Sequence, residues 1–246
     1  MRNDFRILCA LFLLICTKIT FVKNILGNNR TPLNILMNIV MVAISLFFNG
    51  LGVYLTIRAN IGVGPWDVLN LGLSKTFGIL YGNASIAVSF TILIIDIILK
   101  EKIGVAMIID AIVVGKSVDF FNWLNLVPVP KTLVGSIALM LVGLTIGGYT
   151  QYMYMASALG CGPRDTLLVG LKRLTNRIPI GVVSICIMCC VTLVGYILGG
   201  PVGIGTLISV FCAGPIMQFA FESMHFDATK VRHQQMFETF RIMFAK

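Results

Sequence analysis

The sequence predicts an all-α polytopic membrane protein: two inverted repeats, each with three transmembrane helices plus one short re-entrant or interfacial helix. Three observations carry this. The 246-residue chain is 57% hydrophobic and only 12% charged, with a mean hydropathy of +0.93, far too little charge to cover a soluble domain of this size. Several apolar runs reach the roughly 20 residues that cross a bilayer as a helix, and they lack the alternation of barrel strands. Finally, "NIGVGPWDVLNLGL" (60–73) returns 98 residues later as "ALGCGPRDTLLVGL" (158–171).

Residues 1–32 form an apolar N-terminal extension. Arg2 and Arg6 precede the run 7–22, which Lys18 interrupts. This suits a signal-like segment or an extra helix, and no small-residue cleavage site decides between them. The first membrane repeat, 33–125, holds long helices at about 33–58, 80–99 and 103–125. The second, 131–224, holds them at about 132–157, 179–199 and 202–224. Each has a short helix after its Gly-Pro phrase, at about 65–77 and 163–175. A dozen residues at ~1.5 Å each reach about two-thirds of the way across the hydrocarbon, so these read as half-helices. The tail, 225–246, sets Met236, Phe237, Phe240, Met243 and Phe244 beside Lys230, Arg232, Arg241 and Lys246. That is a basic amphipathic helix suited to an anionic leaflet, or one folded back on the protein.

The repetition extends well beyond one phrase. At an offset of 98, Gly50, Tyr54, Gly62, Gly64, Pro65, Asp67, Leu69 and Gly72 meet Gly148, Tyr152, Gly160, Gly162, Pro163, Asp165, Leu167 and Gly170. After a one-residue shift, Gly82, Ser85, Leu99, Gly104 and Gly115 meet Gly181, Ser184, Leu198, Gly203 and Gly214. Composition bias would scatter Leu and Val matches; it would not preserve an order of glycine, proline and aspartate. If the short helices do not span, Lys23, Arg30, Lys100, Lys102, Arg164, Lys172, Arg173, Arg177 and the tail cations share the cytoplasmic side. Only Arg58, Lys75 and Lys131 remain outside. The positive-inside rule therefore favours three spans per repeat and a cytoplasmic tail. An odd number of spans makes the copies antiparallel, the plan of many secondary transporters.

Residues 50–86, "GLGVYLTIRANIGVGPWDVLNLGLSKTFGILYGNASI", resemble the signature of the bacterial YczE/YyaS/YitT integral membrane proteins, the YczE-like branch in particular. "GVAMIIDAIVVGKSVDFF" (104–121) is similar to that family's third-helix pattern, with Gly115 and Asp119 at its typical positions. The resemblance covers about 33–224. It implies a multi-pass protein of the bacterial cell membrane and no settled biochemical activity.

The candidate substrate- or ion-binding residues are Gly64, Pro65, Trp66, Asp67, Asp110, Gly162, Pro163, Arg164 and Asp165. Proline suits the first helical position, and Asp67 and Asp165 then fall in the first turn, where a carboxylate caps free N–H groups. If the two starts face a cavity, they become a place for an anionic group, a proton or a cation. The copies differ at Trp66 against Arg164; the arginine can hold a carboxylate or phosphate, or simply anchor the cytoplasmic face. Asp110 has no partner along its helix, whereas Asp96 is expected to pair with Lys100, and Lys116 with Asp119. Tyr149, Gln151, Tyr152 and Tyr154 read as interfacial aromatics in preference to a polar pathway. Cys186, Cys189 and Cys190 read as buried small hydrophobes, since no second Cys or His cluster at ligand spacing accompanies them.

These residues imply no catalytic group, metal or cofactor and no nucleic-acid partner. They carry no P-loop, metal-ligand set or nucleophile–base pair. The functional expectation is a secondary transporter or permease for a small organic solute, with its site near the paired helix starts. The alternative is a non-transporting scaffold or regulator acting through a protein partner.

Overall fold

A computed structural model describes residues 31–175, 177–228, 231 and 233–244; the expected N-terminal extension, save Thr31 and Pro32, lies outside them. Among the described residues there are nine helices and no strand. They are α1 (Pro32–Arg58), α2 (Pro65–Phe77), α3 (Tyr81–Ile98), α4 (Val105–Leu124), α5 (Leu133–Ala156), α6 (Pro163–Leu174), α7 (Ile180–Ile197), α8 (Ile204–Ser223) and α9 (Met236–Phe244). Five of them, α1, α3, α5, α7 and α8, are long and apolar enough to cross a membrane. The third expected span, α4, is 20 residues long but carries Asp110, Lys116 and Asp119, which lower its hydropathy. The chain is a membrane protein of several apolar helices.

Local chemistry sets the boundaries. Proline begins α1, α2 and α6 at the first helical turn, where its missing N–H costs nothing. The Thr31 and Thr132 hydroxyls accept from Asn34 N–H at 3.3 Å and Gly135 N–H at 3.2 Å, capping α1 and α5. At 13 and 12 residues, α2 and α6 extend roughly 20 Å, short of a ~30 Å hydrocarbon core.

The packing repeats itself in pairs. Glycines carry the α1–α5 crossing: a Cβ on Gly52 would lie 2.7 Å from the Gly143 carbonyl, and one on Gly143 would lie 2.6 Å from the Gly52 carbonyl. Such close backbone approach is how membrane helices associate without a hydrophobic driving force. Then α1 packs on α4 and α5 packs on α8, α2 lies against α7 and α6 against α3. Before α2, Ile61 O accepts from Gly205 N–H at 2.7 Å; before α6, Leu159 O accepts from Ala106 N–H at 3.2 Å. Gly62 (φ 102°) and Gly160 (φ 127°) take the left-handed conformation there and meet Gly203 and Gly104, which only glycine tolerates.

Three expectations are corrected. Asp96 does not pair with Lys100, because α3 ends at Ile98 and Lys100 turns to φ 57°. Asp96 is instead fully buried, with no hydrogen-bond partner for either oxygen. An unsatisfied buried polar group costs about 1–3 kcal/mol, so Asp96→Leu is expected to raise stability by about 1 kcal/mol in detergent thermal unfolding. Lys116 and Asp119 do not neutralise each other; Lys116 donates to Asn83 Oδ1 at 2.8 Å, and Asp119 Oδ1 accepts from Gly82 N–H at 2.8 Å. Both tie α4 to the start of α3. Cys186, Cys189 and Cys190 are exposed on the outward face of α7, where an apolar side chain meets lipid as readily as protein.

The tail folds back. Gln234 N–H and Met236 N–H donate to Ala158 O at 2.8 Å and Ile103 O at 2.9 Å. Ile242 and Met243 pack on a core that includes Ile35, Ala106 and Leu159, while Phe237 stays exposed. Partial burial holds the His233 imidazole below its usual pKa, since desolvation disfavours the cation.

Candidate functional site

A cavity of about 300 Å³ opens at the α1–α5 crossing. Gly64, Asp67, Gly162, Arg164 and Asp165 all line it, so the starts of α2 and α6 share one space with Asp110 of α4. Pro65, Trp66 and Pro163 sit just behind this lining: the prolines are buried at the helix starts, and the Trp66 ring lies against Arg164. Every candidate residue read from the sequence is thus at or beside one volume.

The two aspartates do not serve chiefly as caps. Asp67 Oδ1 accepts from Tyr81 Oη at 2.7 Å, and the tyrosine in turn accepts from Asn70 Nδ2 at 3.3 Å. Asp165 Oδ2 accepts from Gln151 Nε2 at 3.0 Å. Each carboxylate is therefore held by a donor from a neighbouring helix, α3 or α5, in place of its own first turn. Tyr81 and Gln151 correspond to Ile180 and Val53 in the sequence repeat, so the two sites are held by different chemistry.

Arg164 is not a surface anchor. Its guanidinium stacks over the Trp66 ring, 5.2 Å from the centroid, a cation–π contact worth about 0.5–2 kcal/mol. It also interacts electrostatically with Asp67, Asp110 and Asp165. The one position at which the two phrases differ in charge is therefore where they touch.

Other lining groups were not read from the sequence as a site. Ser85 and Ser89 of α3 and Ser209 of α8 line the cavity while only 3%, 5% and 7% exposed. Tyr154, 1% exposed, also lines it, and its hydroxyl has no partner among the described residues. Gln151 and Tyr154 thus face the interior and not the interface; the polar-pathway reading of this segment fits them. The four-residue spacing of Ser85 and Ser89 was the available signal for a polar helix stripe.

One element of the packing is unpaired. At the α3–α4 contact a Cβ on Gly82 would lie 2.5 Å from Gly115 O and 2.2 Å from Asp119 Oδ2. The sequence counterparts on α7 and α8, Gly181 and Gly214, have nothing within 4 Å. The first pair is shut and the second stands apart.

Comparison with known proteins adds kinship without chemistry. A family model described as "Family of unknown function (DUF6198)" matches residues 36–222. An uncharacterized protein of Haemophilus influenzae is 28% identical over 183 residues, covering 74% of this chain and 82% of that one. The uncharacterized membrane protein YczE of Bacillus subtilis is 28% identical over 183 residues, covering 72% and 84%. The uncharacterized protein YyaS of the same species is 28% identical over 189 residues, covering 75% and 92%. No solved structure matches the chain.

Proposed function

The chain belongs to the family of unknown function DUF6198, the kin of YczE and YyaS, and from that premise we propose that it is a secondary transporter for a small organic solute. One observation carries the reading: one cavity of about 300 Å³ is bounded by both Gly-Pro-x-Asp helix starts and by Asp110. Ionisable groups inside a membrane fold are costly and mark pathways and binding sites, and half-helix ends meeting a solute near the midplane are a recurring transporter device. The reading is of a permease of the cell membrane and not of an enzyme, with a cytoplasmic tail and the bilayer as its surroundings.

The proposed architecture is two inverted repeats of three spans and a half-helix, with α4 as the third span of the first. The reciprocal contacts support it. Ile61–Gly205 and Leu159–Ala106 are the same pair under the 98- and 99-residue offsets, and so are Gly62–Gly203 and Gly160–Gly104. Likewise Gly72 meets Leu198 as Gly170 meets Leu99. A twofold exchange of the copies carries each contact into its partner. Under the positive-inside reading, the parted Gly181–Gly214 pair lies on the cytoplasmic side, so the cavity opens that way.

The test is counterflow in proteoliposomes loaded with a metabolite pool, with and without a pH gradient. Asp67→Asn and Asp165→Asn are each expected to cut the flux about 10- to 100-fold, the loss of one charge-assisted contact. Unchanged flux in both variants would remove these carboxylates from the transport site.

A further inference from the structure

We infer that the cavity's ligand is a small organic ammonium ion, presenting N–H donors to an extended row of acceptors. This deepens the transporter reading and rests on it for the identity of the site.

The ionisable lining consists of Asp67, Asp110, Arg164 and Asp165, three carboxyl groups against one guanidinium. That guanidinium is already committed to the Trp66 face, so it serves as an internal counter-charge and not as a free anion hook. Tyr81 and Gln151 each occupy one oxygen of Asp67 and Asp165, leaving the second oxygen of each for something else. No hydrogen bond from a described residue reaches the Asp110 carboxyl.

A second set of groups points the same way. The hydroxyls of Ser85, Ser89 and Ser209 belong to side chains more than nine-tenths buried, they border the cavity, and none has a hydrogen-bond partner among the described residues. Ser and Thr hydroxyls in membrane helices ordinarily back-bond to a carbonyl three or four residues earlier. Thr91, Ser117, Thr145 and Thr192 of this protein do so. The three cavity serines forgo that bond, so each hydroxyl is free to rotate and turn its oxygen toward a donor in the cavity.

Size and spacing narrow the ligand further. The volume of about 300 Å³ is at the low end of the about 300–1,000 Å³ usual for ligand pockets. Among the described residues no three Asp, Glu, His or Cys side chains converge on one point. The carboxylates therefore address a molecule with some length, in preference to one compact ion. An anion would meet an excess of acidic groups over the one guanidinium; a neutral solute would leave that excess uncompensated.

The experiment is binding of radiolabelled 1,4-diaminobutane to the purified full chain in detergent, with n-butylammonium, butyrate and butanol as competitors. Saturable binding is expected, displaced by butylammonium and not by butyrate or butanol. Asp110→Asn should weaken it about 10- to 100-fold. Arg164→Gln should tighten it several-fold by removing the competing charge, a sign that a damaged fold cannot produce. Absence of saturable binding overturns the inference, as does butyrate or butanol competing as well as butylammonium, or an Arg164→Gln variant that binds more weakly. Binding without counterflow in liposomes would sink the transporter reading alone. Counterflow of a neutral or anionic solute without amine binding would sink only the present inference.

Discussion

Alanine at Gly82 is expected to destabilise the protein by about 3 kcal/mol, while alanine at its repeat counterpart Gly181 is neutral or gains up to about 1 kcal/mol in detergent thermal unfolding. The two glycines align in sequence, so any difference between them belongs to their surroundings. At Gly82 the new methyl group would fall 2.2 Å from Asp119 Oδ2 and 2.5 Å from Gly115 O, and the second of these is backbone and cannot rotate away. Asp119 is also pinned, because its other oxygen accepts from Gly82 N–H itself. The methyl group must therefore push α3 off α4. At Gly181 nothing lies within 4 Å, and alanine only removes the entropy cost of glycine in a helix. Equal effects at the two positions would mean that the α7–α8 gap is closed in the folded protein.

A disulfide between Gly181→Cys and Gly214→Cys, in a background with the other cysteines replaced by serine, is expected to form during turnover and arrest counterflow. In the proposed cycle the two copies exchange conformations, so α7 and α8 must at some point adopt the contact that α3 and α4 hold now. There a Cβ on Gly115 would lie 3.2 Å from the Gly82 Cα. That approach puts the two backbones no farther apart than the ~4.4–6.8 Å Cα separation a disulfide spans. The converse state must also break the latch between α4 and α3, namely Lys116 to Asn83 and Asp119 to Gly82. The second copy has Pro215, Val182 and Gln218 at the matching places, and Gln218 donates instead to Glu222 at 2.8 Å. In the proposed cycle, only the α3–α4 gate carries a polar latch among the described residues, so the resting protein would favour the state with that gate shut. Failure of the cysteines to cross-link under turnover would remove the exchange mechanism.

The helix plan was legible in the residues to within about two positions at each end, because glycine and proline punctuate it. Pro65, Pro163 and Gly78 stop or start helices through backbone geometry alone, whatever the surroundings. The shared cavity was legible in part. A repeated phrase marks Asp67 and Asp165, and an unpaired acid in an apolar run marks Asp110. What the residues do not disclose is which way a helix face points. Lipid and protein interior are alike apolar, so a serine facing a cavity, such as Ser209, reads like one facing a neighbouring helix. The same ambiguity sent Gln151 and Tyr154 to the interface and Cys189 to the interior. The Asp96–Lys100 pair failed for a different reason: an i,i+4 rule presumes that the helix continues, and α3 ends between the two.

The Trp66–Arg164 stack has a consequence for how such a molecule could have arisen. Two separate copies of one ancestral half, inserted in opposite orientations, would set the same residue against itself across the axis, arginine on arginine or tryptophan on tryptophan. The first repels and the second gives no charge to answer the three acids. A hetero-pair at the axis requires that the two halves carry different residues there, which they can once each half has its own codons, as within one gene. Under the proposed inverted-repeat plan, fusion of the halves frees the axial position to specialise, and the Trp66–Arg164 stack gives the centre a polarity that two identical halves could not have.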